Sequence, residues 1–215
     1  MANHPLWSDE YWLMLMQLYL RKPVGVKPMY SKRLVALSLE LHIPPQFLYS
    51  QMLRLRQIDT PRMERLWNTY GENPKKLSRG VKLLRKKMGY GLASLFYDGV
   101  EVNESFEKDF KPIPEYPDFT PAMLIVILDL YFRLTPITMV EDTPEIRQLA
   151  RRLKKPASLI VSVMQVFQVC DPYLKQKTAD IPDLLAPCRQ IWQRFANDNP
   201  QKLNALAAQL HEYFK

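Results

Sequence analysis

The sequence predicts an all-α protein made of two tandem helical repeats of about five helices each. Three observations predict it. Only six glycines stand against 18 prolines in 215 residues, which suits helices punctuated by proline and argues against glycine-rich phosphate loops. Apolar residues recur at helical spacing in both halves of the chain. Residues 7–59 also lie over 119–171 at a fixed offset of 112 without a gap, with nine identities in 53 columns.

Along that offset Leu18-Tyr19 meets Leu130-Tyr131, Arg21 meets Arg133, Pro44 meets Pro156, and Asp59 meets Asp171. After a length difference of about a dozen residues the correspondence resumes. "LWNTYGENPKKL" (66–77) answers "IWQRFANDNPQKL" (191–203), pairing Trp67 with Trp192 and Asn73-Pro74 with Asn199-Pro200. An ordered series on both sides of an indel reads as a tandem duplication.

The first helix of each repeat opens at Ser8 or Thr120, whose hydroxyl is suited to accept from an orphan amide of the first turn. Trp7 with Trp12, and Phe119 with Leu124, have the spacing of hydrophobic staples. Ser31 and Thr143 start the second helix, and Pro44 and Pro156 mark its end. Leu34, Leu37 and Leu41 form its apolar stripe, matched by Ile146, Leu149 and Leu153. The third helix runs through Gln46–Gln57 and Ser158–Val169, with stripes Leu48, Met52, Leu55 and Ile160, Met164, Phe167. A fourth helix holds Trp67 or Trp192. The fifth begins at Asn73-Pro74 or Asn199-Pro200, where Asn caps and Pro fills the first position. Second and third helices joined by a short turn make a helix-turn-helix-like unit in each repeat.

The predicted boundaries are 1–90 for the first repeat, 91–118 for an acidic, Pro-containing linker, and 119–215 for the second repeat. Asp98-Gly99, between "LFY" and "VEV", predicts a short β-hairpin within the linker. The opening run "LWSDEYWLMLMQLYLR" (6–21) is too short and interrupted to span a bilayer, which needs about 20 apolar residues. Tyr11, Trp12, Met14 and Met16 cannot share one face of a helix, so the excess points to packing between repeats or between chains. No signal peptide is evident, and two cysteines, Cys170 and Cys188, give no disulfide framework. A soluble, cytoplasmic chain with no membrane contact is expected.

Catalytic chemistry finds no support. His4, His42 and His211 are far apart and none has a metal-ligand partner at the required spacing, so no metal, cofactor or catalytic residue is expected. Charge is more informative. The net charge of +8 divides into +10 over residues 1–90, −5 over 91–118 and +3 over 119–215. The basic excess culminates in "KKLSRGVKLLRKKMG" (75–89), a pattern that attracts phosphate backbones without reading sequence.

The run "FTPAMLIVILDLYFRL…TPEIRQLARRLKKPASLIVSVMQVFQVCDP…IWQRFANDNPQKL" resembles the helical domain N-terminal to the nuclease module of bacterial HNH endonuclease-type proteins, itself similar to a Myb/SANT three-helix unit. The His-Asn-His module is missing, so cleavage activity does not follow. The resemblance implies DNA binding, with the third helix of the first repeat in the major groove. Gln46, Ser50, Gln51 and Arg54 are then the base-facing candidates, since Gln and Arg suit bidentate contacts to base edges. Arg56 lies beside them, with Lys32, Arg33, Lys82, Arg85, Lys86 and Lys87 on the phosphate backbone. The corresponding second-repeat positions, Ser158, Ser162, Val163 and Val166, include two valines and suit a partner surface instead. Two readings follow: a non-enzymatic DNA-binding protein, or a helical interaction module that docks on a protein, the other repeat or a second copy of the chain.

Overall fold

Eleven α-helices and no strand make up the described residues of the computed structural model, which are 4–58, 60–87, 105–174, 181–196 and 198–215. They fall into two units, Met1–Asn103 and Glu104–Lys215. The fold is all-α.

In the first unit the Ser8 hydroxyl accepts from the Glu10 amide at 3.4 Å, opening a 3-10 turn over Asp9–Tyr11 rather than the helix itself. α1 (Trp12–Leu20) follows. The Trp7 and Trp12 rings meet edge to face at 5.1 Å, as a staple requires. Tyr11, Trp12, Met14, Leu15, Met16 and Leu18 are all buried in this unit's own core. The expectation that their excess serves packing between repeats or chains is corrected: α1 packs on both α3 and α5, so more than one stripe is covered.

α2 (Lys32–Leu41) ends on His42 in the left-handed conformation, φ 55°. The turn His42–Pro44 leads into α3 (Pro45–Gln57), whose Leu48, Met52 and Leu55 are fully buried. Burial of each such side chain contributes about 1.5–3 kcal/mol. Thr60 caps α4 (Pro61–Tyr70) by accepting from the Met63 amide at 3.4 Å, and α5 (Pro74–Lys87) closes the unit. Trp67 ties α4 to the rest: its Nε1 donates to the Leu55 carbonyl at 2.9 Å, and its ring meets Tyr19 edge on at 5.6 Å.

The second unit begins earlier than the predicted boundary. α6 (Ser105–Phe110) lies in the segment read as linker, and it is helical because its groups have partners in this unit. Asp109 takes both arms of Arg194 at 2.7 and 3.0 Å, and Phe110 meets the Tyr213 ring at 4.9 Å. The hairpin expected at Asp98-Gly99 lies outside the described residues, as does Asp59.

The helices α7 (Pro121–Arg133), α8 (Pro144–Leu153), α9 (Ala157–Cys170), α10 (Leu185–Phe195) and α11 (Pro200–Leu210) follow the order of α1 to α5. Details recur between the units, at the offset of 112 as far as Asp171 and at a larger one beyond it. Lys154, φ 56°, ends α8 in the left-handed conformation, as His42 ends α2. Tyr131 meets Trp192 edge on at 5.9 Å, as Tyr19 meets Trp67. Thr120 accepts from the Met123 amide at 3.4 Å, and Asn199 from the Gln201 amide at 2.9 Å. Ser31 and Thr143 occupy the N-cap positions of α2 and α8, yet neither side chain caps. The Thr143 hydroxyl donates backwards to the Thr138 carbonyl instead.

Val163 and Val166 are fully buried. The expected partner surface there is corrected: α9 packs on α7, α8 and α10, so its core side is wider than one stripe.

Candidate nucleic-acid interface

The outward side of α3 is chemically quieter than its sequence suggests. Gln51 is only 3% exposed, and its Oε1 accepts from Arg54 Nη1 at 3.3 Å. It therefore stands in the core, the position Val163 holds in α9, and not at a base edge. The Arg54 guanidinium also lies over the Trp12 ring, 6.0 Å from its centroid. Gln46 donates to the Tyr30 hydroxyl at 2.6 Å, and the Ser50 hydroxyl donates back to the Phe47 carbonyl at 2.7 Å. Leu53 and Ile58 are exposed among these groups. Of the residues predicted on α3, Gln46 and Arg56 are exposed, and of these Arg56 makes none of these contacts.

α5 is different. Leu77, Val81 and Leu84 are buried along one side, and Lys75, Arg79, Lys82 and Lys86 are exposed on the other at i, i+4, i+7 and i+11. That spacing sets four cations in one stripe about 16 Å long. Among the described residues none of the four forms a salt bridge, and α5 itself contains no acid. Arg85, at the edge of the buried side, is instead locked by Glu40. Lys82, Arg85 and Lys86 are named individually from the sequence, while Lys75 and Arg79 enter it only as part of the basic stretch that begins at 75, although the same spacing identifies them. The Lys87 side chain lies outside the described residues.

Lys32 and Arg33 are exposed in the first turn of α2. Cations there oppose the positive end of the helix dipole, so an anion nearby is favoured. Arg33 Nη1 donates to the Lys22 carbonyl at 3.3 Å. Close by in sequence, the Lys27 ammonium is buried and donates to the carbonyls of Arg21, at 2.7 Å, and Pro23. Its pKa is lowered by burial first and by the Arg33 charge second.

Among the described residues no group of three or more His, Cys, Asp or Glu is arranged to hold a metal ion. Burial raises the pKa of both the Cys170 and Cys188 thiols, the opposite of what a nucleophilic thiolate needs. No helix of the described residues is long and apolar enough to cross a membrane. No protein-family model, curated protein or solved structure matches the chain.

Proposed function

We propose that the chain is a non-enzymatic protein that binds duplex DNA through the first unit, with α5 as the main contact and with little sequence preference. The observation that carries this reading is the stripe Lys75, Arg79, Lys82 and Lys86, exposed and unpaired among the described residues. Four phosphate contacts release counterions, so log affinity is expected to fall with log salt at a slope of about −3.6. The third helix takes a supporting part at most, because Gln51 is buried and Gln46, Ser50 and Arg54 already have intramolecular partners. The order of three helices with a three-residue turn supports the Myb/SANT-like resemblance. The shared helix order and the left-handed turns at His42 and Lys154 support reading the two units as copies of one ancestral module.

Fluorescence polarisation of a labelled random duplex over a salt series tests the proposal. Absence of binding to micromolar protein at low salt sinks it. The alternative, a protein contact through the second unit, is favoured by Phe132, Ile137 and Val140, which are 46%, 89% and 50% exposed along one short stretch. Under that reading duplex binding is absent and self-association or a protein partner takes its place.

A further inference from the structure

Both units contain the same pocket, between the first, second and fifth helices. In the first unit it measures about 150 Å³, and its charged lining is Arg21, Arg33, Glu40 and Arg85. In the second it measures about 220 Å³, with Arg133, Glu145, Arg152 and His211. The first three positions correspond at the offset of 112. Arg85 and His211 both follow the proline that starts their helix by eleven residues.

The charges do not correspond. In the second unit Asp129 pairs with Arg133 at 2.8 Å, Glu145 faces the same pocket as Arg152, and burial holds His211 toward its neutral form. Two cations meet two carboxylates there. The first unit has Gln17 where the second has Asp129, Lys27 where it has Met139, and Arg33 where it has Glu145. Its lining carries Arg21, Arg33 and Arg85, with Glu40 as the single carboxylate, and Lys27 donates to the Arg21 carbonyl behind them. Glu40 is also masked: both its oxygens are taken by Arg85 Nε and Nη2 at 2.6 and 2.8 Å, which leaves Nη1 for another acceptor.

Among the described residues, Arg33 in the lining and Lys27 behind it lack a carboxylate partner, and the nearby Ser31 hydroxyl lacks any partner. The Lys27 ammonium is buried, yet the partners it has are carbonyls, which leave its charge uncompensated. Arg33 sits at the positive end of α2 with no acid in the first turn. The Ser31 hydroxyl at the same helix end is buried without a hydrogen-bond partner. Guanidinium forks match tetrahedral oxyanions, and an excess of cations suits a group carrying close to two negative charges.

We infer that the first unit's pocket binds a phosphate group between Arg33 and Arg85, with Arg21 at its mouth. The second unit's pocket is self-neutralised and does not. The phosphate belongs either to a nucleic-acid strand or to a small free phosphate compound, and the inference does not depend on the α5 stripe.

The test is a titration of the full chain with inorganic phosphate, followed by two-dimensional NMR of backbone amides and arginine Nε–H groups. Sodium chloride at matched ionic strength is the reference. Saturable shifts are expected at Ser31, Arg33 and Arg85. Arg33→Gln and Arg21→Gln, both at exposed side chains, are expected to weaken binding about tenfold for the former and less for the latter. Arg147→Gln in the second unit is expected to leave it unchanged. Non-saturable shifts equal to those in chloride overturn the inference, as does saturable binding that Arg33→Gln leaves intact. Adding duplex separates the two sources. Displacement of phosphate, with Arg33→Gln weakening both ligands, supports a strand phosphate; duplex binding without displacement supports a free one. Phosphate binding by a chain that ignores duplex supports this inference and overturns the proposed DNA binding.

Discussion

Arg85 donates from Nε and Nη2 to the two oxygens of Glu40, at 2.6 and 2.8 Å, and so fastens α5 to α2. The pair is partly exposed, at 41% and 27%, which limits its worth. Glu40→Gln is expected to lower stability by about 0.5–1 kcal/mol in urea unfolding. The same change removes the pocket's carboxylate and is expected to strengthen phosphate binding. Stability and binding moving in opposite directions is the signature to measure.

Lys82→Gln combined with Lys86→Gln is expected to shrink the salt slope of duplex binding by about 1.8, since each phosphate left without its lysine removes about 0.9. Both side chains are exposed, so stability is expected to change by no more than about 0.5 kcal/mol. A polarisation titration beside a thermal melt checks both halves.

Gln51→Ala is expected to act as a core substitution, costing roughly 1–3 kcal/mol through the hydrogen bond and volume it removes. Arg54→Ala is expected to alter affinity for all duplexes in the same proportion. A panel of unrelated duplexes tests this; a changed ranking among them restores α3 as a base reader.

Ile58 ends α3 with φ 50°, a left-handed conformation unfavourable for a β-branched residue, and its side chain is 46% exposed. Ile58→Gly is expected to stabilise the first unit by about 1 kcal/mol. Lys154→Gly is expected to do the same for the second, where the backbone cap bonds to Ala150 and Arg151 are kept. Denaturant midpoints report both.

Burial, then the charge of Arg152, lowers the pKa of His211 below its usual 6.5, against weaker opposition from Asp129 and Glu212; Arg133 adds to the lowering. The unfolded chain therefore takes up this proton first as pH falls. The stability that His211 lends is present above its unfolded value and is lost as pH drops through the folded one. Melting temperature is expected to fall on acidification below about pH 6.5, and less so in His211→Asn.

Much of the fold is legible because its signals are local. Thr120 and Asn199 cap the helices they precede, and Trp7 meets Trp12 as their spacing requires. Helical stripes find Leu48, Met52 and Leu55 in the same way. They miss Gln51 and Val163, because a stripe measures one covered side of a helix, while α3 and α9 are covered over a wider arc. The candidate site is legible only in part. Lys75, Arg79, Lys82 and Lys86 announce themselves by spacing along one helix. Arg21, Arg33 and Arg85 come from a helix end and two other helices, and only folding brings them to one pocket.

The aromatic staple and the Tyr19–Trp67 pair have an optical consequence. Three of the four tryptophans, Trp7, Trp12 and Trp67, belong to the first unit, and Trp192 alone to the second. Intrinsic fluorescence therefore reports chiefly on one unit, whereas far-ultraviolet dichroism weighs the helices of both. Units that unfold as one give coincident curves, and units that unfold separately give curves that part. Each probe then follows a different half of the same chain.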